Sequence, residues 1–153
     1  MEKELIERQK NDLIRDITSS GSLFFYILVT LFFLLSKNYE ILTQVVIGFI
    51  MIYVVTIFIR STFFKERPKK LSYNSFIAKL DASSLPSLHA ARTAFLGAIL
   101  IKFLDNIAFS ILMIFLILIV SYSRIYLQKH DIKDISAGLI LGIAVYFVVN
   151  FVL

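Results

Sequence analysis

The sequence predicts an all-α, polytopic membrane helical bundle of about five transmembrane helices, preceded by an N-terminal amphipathic helix. Three observations predict it. Of 153 residues, 58% are hydrophobic, more than a soluble core of this size uses. The apolar residues fall in long runs, with the charges clustered between them. Two of the breaks between runs are only a few polar residues long, as antiparallel helical hairpins require.

The elements follow in order. Within residues 1–20, acids and bases alternate while Leu5, Ile6, Leu13, Ile14 and Ile17 fall on one helical stripe. That pattern suits a helix lying at the membrane interface, and an ordinary solvated helix fits it too. Apolar spans follow at 22–36, 41–59, 86–104, 107–123 and 135–153, against the ~20 residues that cross a bilayer core. The first is short, and the third reaches full length only by including His89 and Arg92. Both count as spans because an active-site end need not face lipid. Lys37–Glu40 and Asp105–Asn106 are the tight connections. The one long loop, 64–85, is basic, and loops of that length are often functional. By length, 1–153 is a single domain, with the chemically suggestive residues gathered in 60–134.

Composition narrows the function classes. There is no cysteine, so disulfides and thiolate zinc sites are excluded. No HExxH-like metal set occurs, which favours a metal-free, cofactor-free mechanism. The net charge of +5 suits an anionic substrate or an anionic membrane surface. Nucleic acid is not expected, since no basic stripe stands apart from the membrane segments. The first apolar run lacks a small-residue cleavage site, so no cleaved signal peptide is expected.

With five spans, four places share one membrane side: the end of the second, the start of the third, the end of the fourth and the start of the fifth. They hold Arg60 and Arg67, then Ser87 and His89, then Ser123 and Arg124, then His130 and Asp134. Ionisable residues beside a span are costly to keep and are functional candidates by default. His130 and Asp134 are four apart, so on a helix the carboxylate reaches the imidazole and fixes its tautomer. Arginines grouped around two histidines and an aspartate suit a phosphoryl group, whose oxygens match the guanidinium fork. Pro86 suits a first helical turn and Ser87 a helix cap, beside backbone N–H groups that cradle an anion. Arg92, one turn after His89, is a candidate for the second phosphate of a diphosphate; the alternative is an interfacial or salt-bridging role. Lys65, Lys69, Lys70 and Lys79 are expected to meet anionic head groups or set topology.

These residues resemble the three-part signature of the type 2 phosphatidic-acid phosphatase superfamily, which includes membrane lipid phosphatases and vanadium haloperoxidases. Its KxxxxxxRP appears as Arg60 to Pro68, its PSGH as Pro86-Ser87-Leu88-His89, and its SRxxxxxHxxxD as Ser123 to Asp134. The match covers about half the chain, in the right order and topology. Arg60 stands where the family has Lys, and Leu88 where it has Gly. The resemblance implies that His130 attacks phosphorus to form a phosphohistidine while Asp134 orients its imidazole. His89 would protonate the leaving group and then activate water. Arg60, Arg67, Arg124, Ser87 and the amides of Leu88 and His89 would hold the phosphoryl oxygens.

The expected function is hydrolysis of a lipid phosphate or diphosphate: phosphatidic acid, phosphatidylglycerol phosphate, or a polyprenyl phosphate or diphosphate. The alternatives are a lipid phosphotransferase using the same phosphoenzyme, and a non-catalytic lipid-binding membrane protein. Of the 16 Lys and Arg, all but Lys37 and Lys102 fall on the site side, which places the site at the cytoplasmic face of the cell membrane.

Overall fold

A computed structural model describes residues 22–153, so the interfacial helix expected at 1–20 lies outside the described residues. Among the described residues six helices run in order: α1 Leu23–Leu35, α2 Tyr39–Thr62, α3 Phe76–Ala82, α4 Leu88–Leu104, α5 Ile107–Tyr126 and α6 Ile132–Val152. Their starts are local chemistry. Ser22, Asn38, Ser75, Ser87, Asn106 and Asp131 each accept the backbone N–H three residues on, satisfying donors that a helix terminus leaves orphaned. Lys37 and Asp105 take left-handed backbone angles, φ 55° and 43°, and so close the two tight hairpins that the spacing predicts. Pro86 lies just before the cap rather than in the first turn, because the helix enters at Ser87. The seven-residue α3 lies inside the long basic loop, where no element was foreseen.

The chain is an integral membrane protein, but the expected five spans need adjusting. Only α2, α5 and α6, with 24, 20 and 21 residues, are long and apolar enough to cross a bilayer by length and composition; α1 is a shorter apolar helix. The 17-residue α4 is different for a physical reason. It is the central helix, buried continuously from Ala90 to Gly97, and packs against α2, α5 and α6. Protein, not lipid, surrounds it, so it tolerates Arg92 and Thr93. Ile111, Phe115 and Leu118 on α5 and Ile140 and Phe147 on α6 stay exposed, forming an apolar outer face for lipid.

The core joins Tyr26 and Phe33 of α1, Val45 and Ile52 of α2, Phe95 and Ile99 of α4, and Val145 and Val149 of α6. Its closest seam is α4 against α6. A Cβ at Gly138 would stand 2.5 Å from the Ser87 carbonyl oxygen, and one at Gly142 would collide with the Ala91 carbonyl. Small residues on both sides let the two backbones approach, as in other membrane helix pairs. At the end of this seam the Ser87 N–H donates to the Asp134 carbonyl at 3.0 Å. Helix packing thereby sets the spacing of two sequence segments 47 positions apart.

Substituting leucine at Gly142 is expected to force the seam open and destabilise the fold by about 1–3 kcal/mol. Thermal unfolding in detergent checks this, with Ala144→Leu on the exposed side of α6 as the comparison that stays near wild type.

Candidate active site

Three chain segments meet at one end of the bundle, and backbone hydrogen bonds stitch them. The loop after α2 joins the stretch before α4 through Ser84 N–H to Lys65 O at 2.8 Å and a β-bridge between Glu66 and Ser83. The same loop joins the α5–α6 turn through Lys69 N–H to Gln128 O at 2.9 Å. The Ser87–Asp134 bond closes the circuit.

Inside that circuit lies a cavity of about 240 Å³. Arg60 and Tyr53 reach it from α2, Leu88, His89 and Arg92 from α4, and Arg124 from the end of α5. Asp81 comes from α3, and Arg67 and His130 come from the connecting segments. Of the nine predicted site residues, seven therefore line a single cavity. Ser87 and Asp134, both wholly buried, stand in its supporting wall. Leu88 is the first helical residue of α4, so its backbone N–H is one of the donors left free at a helix start. Its side chain also narrows the cavity wall.

The arginines are anchored. Arg60 donates to the carbonyls of Leu80 at 3.1 Å and Pro86 at 3.0 Å, and Arg67 donates to the carbonyl of Asp81. Leu80 and Asp81 lie in the last turn of α3, where carbonyls lack helical partners and the helix dipole favours a cation. The short helix thus aims two guanidiniums. Arg124 is 5% exposed, and among the described residues its Nε has no hydrogen-bond partner; a planar fork so placed is suited to an incoming oxyanion. Arg92 donates to the Tyr53 hydroxyl at 3.0 Å.

His130 and Asp134 do not share a helix. Asp131 caps α6, His130 precedes that cap, and Asp134 is the third helical residue, closing a capping box with Asp131. The nearness expected from spacing four survives because the capping turn folds back on itself. His130 Nδ1 stands 3.8 Å from Asp134 Oδ2, a separation too long for a hydrogen bond. The carboxylate is held elsewhere. Its Oδ2 accepts the Asp131 N–H at 3.0 Å, and its Oδ1 accepts Lys65 Nζ at 2.7 Å.

Lys65 is therefore not a head-group lysine. Its Nζ also pairs with Asp131 at 2.6 Å. Burial works against its charge, yet the bonds to Asp131 and Asp134 outweigh that and hold its pKa above the ordinary lysine range. Lys70 is taken up by Glu66, 2.9 Å away, and Lys79 lies over the Phe64 ring. Burial pushes His130 down to about 3, helped by the charges of Arg124, Arg67 and Arg60, so its imidazole is neutral near pH 7 and has a lone pair to offer.

The sequence matches the PAP2 superfamily over residues 42–152, more than half the chain. The chain belongs to the PAP2 superfamily. Among solved structures, it is similar to LpxE of Aquifex aeolicus, with TM-score 0.77 and 16% identity over 94% of this chain and 86% of that one. It is also similar to the first transmembrane PAP2-type phosphatidylglycerolphosphate phosphatase from Bacillus subtilis, with TM-score 0.74 and 21% identity over 94% and 76%. Comparison with curated proteins gave no match. At these identities the two structures bear on the fold alone, and the fold is theirs.

The sequence did not point to Tyr53, Asp81 or Asp131, and it suggested a different role for Lys65. Only Lys65 carried a usable signal, as the one basic residue between the motif positions Arg60 and Arg67.

His130 is expected to stay neutral from pH 8 to pH 5, read from imidazole ¹⁵N shifts in a protein with only two histidines. The unfolded chain takes up that proton near pH 6.5. The fold therefore loses stability as pH falls from 6.5 toward 3. In Lys65→Met the Asp134 charge is less compensated, so His130 should titrate at a higher pH than in wild type. Stability should fall by about 1–3 kcal/mol, the cost of leaving a buried acceptor unpaired.

Proposed function

We propose that this PAP2 protein is a membrane phosphatase that hydrolyses a lipid phosphate or diphosphate through a phosphohistidine on His130. One observation carries the reading: both histidines of the chain face a cavity ringed by Arg60, Arg67 and Arg124. A neutral imidazole at the edge of a guanidinium cluster meets the needs of phosphoryl transfer, where positioning and charge stabilisation dominate.

Nε2 of His130 attacks phosphorus, since Nδ1 faces Asp134. The P–O bond to the lipid breaks, and its electron pair leaves on oxygen, which takes a proton from His89. The imidazolium formed on His130 is stabilised by the Asp134 carboxylate. His89 then removes a proton from water, whose oxygen displaces the imidazole and releases phosphate. Protons and charge return to their starting places. Arg60, Arg67, Arg124 and the Leu88 and His89 amides hold the phosphoryl oxygens through both steps, with Ser87 supporting the amides as their cap. The guanidiniums supply the countercharge a metal would otherwise give, so no metal step is needed. A site at the bundle end keeps the head group at the interface while the hydrocarbon tail stays in lipid, in the cell membrane and at the cytoplasmic face.

His130→Ala is expected to lower phosphate release from a lipid phosphate in detergent by about 10³-fold or more, and chelator to leave wild-type release unchanged. Undiminished release by His130→Ala defeats the nucleophile, and loss with chelator defeats the metal-free reading. Phosphate appearing on an added alcohol instead of as free phosphate would mark a phosphotransferase. Cysteine introduced in the 69–79 loop should resist an impermeant reagent in intact cells, and labelling there would reverse the sidedness.

A further inference from the structure

We propose that the end of the bundle opposite the active site binds the head group of an aminophospholipid, through Glu40, Gln44 and Lys102.

A second polar cavity, of about 250 Å³, lies between the start of α2 and the end of α4. It is as large as the catalytic cavity. Glu40 and Arg60 stand twenty residues apart on α2, about 30 Å at 1.5 Å per residue, which matches a bilayer core. The two cavities therefore face opposite surfaces of the membrane.

Helix termini account for two of the lining residues. Glu40 sits in the first turn of α2 and Lys102 in the last turn of α4, where each charge suits the helix dipole. They do not account for Gln44. It lines the cavity and is 4% exposed, and among the described residues its side-chain amide has no hydrogen-bond partner. A buried amide is costly to leave unpaired, so Gln44 is poised for a polar ligand.

Nor do the two charges neutralise each other. Among the described residues Glu40 has no ion pair, and the Lys102 ammonium donates to the neutral amide of Asn150 on α6. Asn150 is itself held by the Tyr146 carbonyl, to which it donates at 2.9 Å. An ammonium has three donors, so Lys102 keeps some for a second acceptor.

These groups fit a zwitterion. A phosphodiester accepts from Lys102, while a primary ammonium donates to the Glu40 carboxylate and the Gln44 carbonyl oxygen. Charge at this end agrees. Among the described residues its charged side chains are Lys37 and Lys102 against Glu40 and Asp105, which balance. An anionic head group would leave Glu40 facing its own sign of charge. A choline group cannot donate to Glu40 or Gln44, and Phe103 is the one ring among the described lining residues, too little for an aromatic cage. The apolar side of the cavity, Ile99 and Phe103, runs from the core out to the membrane surface, since Ile99 is buried and Phe103 is 40% exposed. That wall suits a glycerol and its chains, so the occupant is a membrane lipid rather than a soluble ethanolamine phosphate. Seated there, it joins the far ends of α2 and α4, which carry Arg60 and His89 at their near ends.

The test titrates the full chain in detergent with dioleoyl phosphatidylethanolamine, phosphatidylcholine and phosphatidylglycerol, and counts retained lipid by native mass spectrometry. Wild type should bind phosphatidylethanolamine at least about 10-fold more tightly than the other two, the effect of one hydrogen bond to a charged group. That lipid should also raise the thermal midpoint. Glu40→Gln should remove the preference. Gln44→Leu should weaken phosphatidylethanolamine about 10-fold without lowering the lipid-free midpoint, because the amide it removes was unpaired. A lower lipid-free midpoint would make Gln44 a structural residue and defeat its part in the site. Glu40→Lys should turn the preference toward phosphatidylglycerol, a gain that misfolding cannot produce. Equal binding of the three lipids by wild type, or preference for either of the others, overturns the assignment. A phosphatidylethanolamine preference that survives both Glu40 variants belongs to another surface and overturns this site. Soluble glycerophosphoethanolamine binding as tightly as the lipid would defeat the lipid as occupant.

Discussion

A single buried carboxylate ties this structure together. Asp134 has no solvent contact, and an ion so placed is expensive unless paired and hydrogen-bonded. Its two oxygens are met by Lys65 and by the Asp131 amide, and its own carbonyl accepts from Ser87. Each partner belongs to a different chain segment. The carboxylate thereby ties the loop after α2 to the first turn of α6, and the backbone carbonyl of the same residue ties in the entry to α4. His130 inherits its place from that arrangement, as it immediately precedes the capping box.

The helical bundle works to the same end. The α4–α6 seam is tight enough for the Ser87–Asp134 bond because Gly138 and Gly142 carry no side chain. The α2 helix, longer than its neighbours, carries Arg60 up to the carbonyls of Leu80 and Pro86. Short α3 then offers its carbonyl end to the arginines. Arg60 and Arg67 are thus held by backbone carbonyls, which do not cancel charge, and Arg67 also has the carboxylate of exposed Asp81 3.8 Å away. A phosphoryl group entering here meets charge already in position.

Much of this was legible in the sequence, and the limits have physical reasons. Apolar runs and polar breaks located α1, α2, α4, α5 and α6, because burial in lipid or protein selects residue type directly. The convergence of Arg60, Arg67, His89, Arg124 and His130 followed from counting crossings. Contacts between distant segments were hidden. Nothing local announces that Lys65 reaches Asp134 across 69 positions, or that Tyr53 meets Arg92 across 39. Spacing also misled where it assumed continuous helix, since Asp131 starts α6 after His130. By length and composition α4 falls short of a lipid-facing span, because it is solvated by other helices rather than by lipid.

That central helix has a consequence for how the protein is made. Alone in a bilayer, α4 would expose Arg92, at about 2.5–3.5 kcal/mol near a helix centre, along with Thr93 and Lys102. It is a poor candidate for independent insertion. The two-residue turn at Asp105–Asn106 joins it directly to α5, which is long and apolar enough to cross by itself. The pair is suited to enter the membrane as one hairpin, with α5 carrying its polar neighbour. The residues that make the site therefore also make its helix dependent on a partner during biogenesis. The site is complete only once α6, the last helix described, arrives to cover α4.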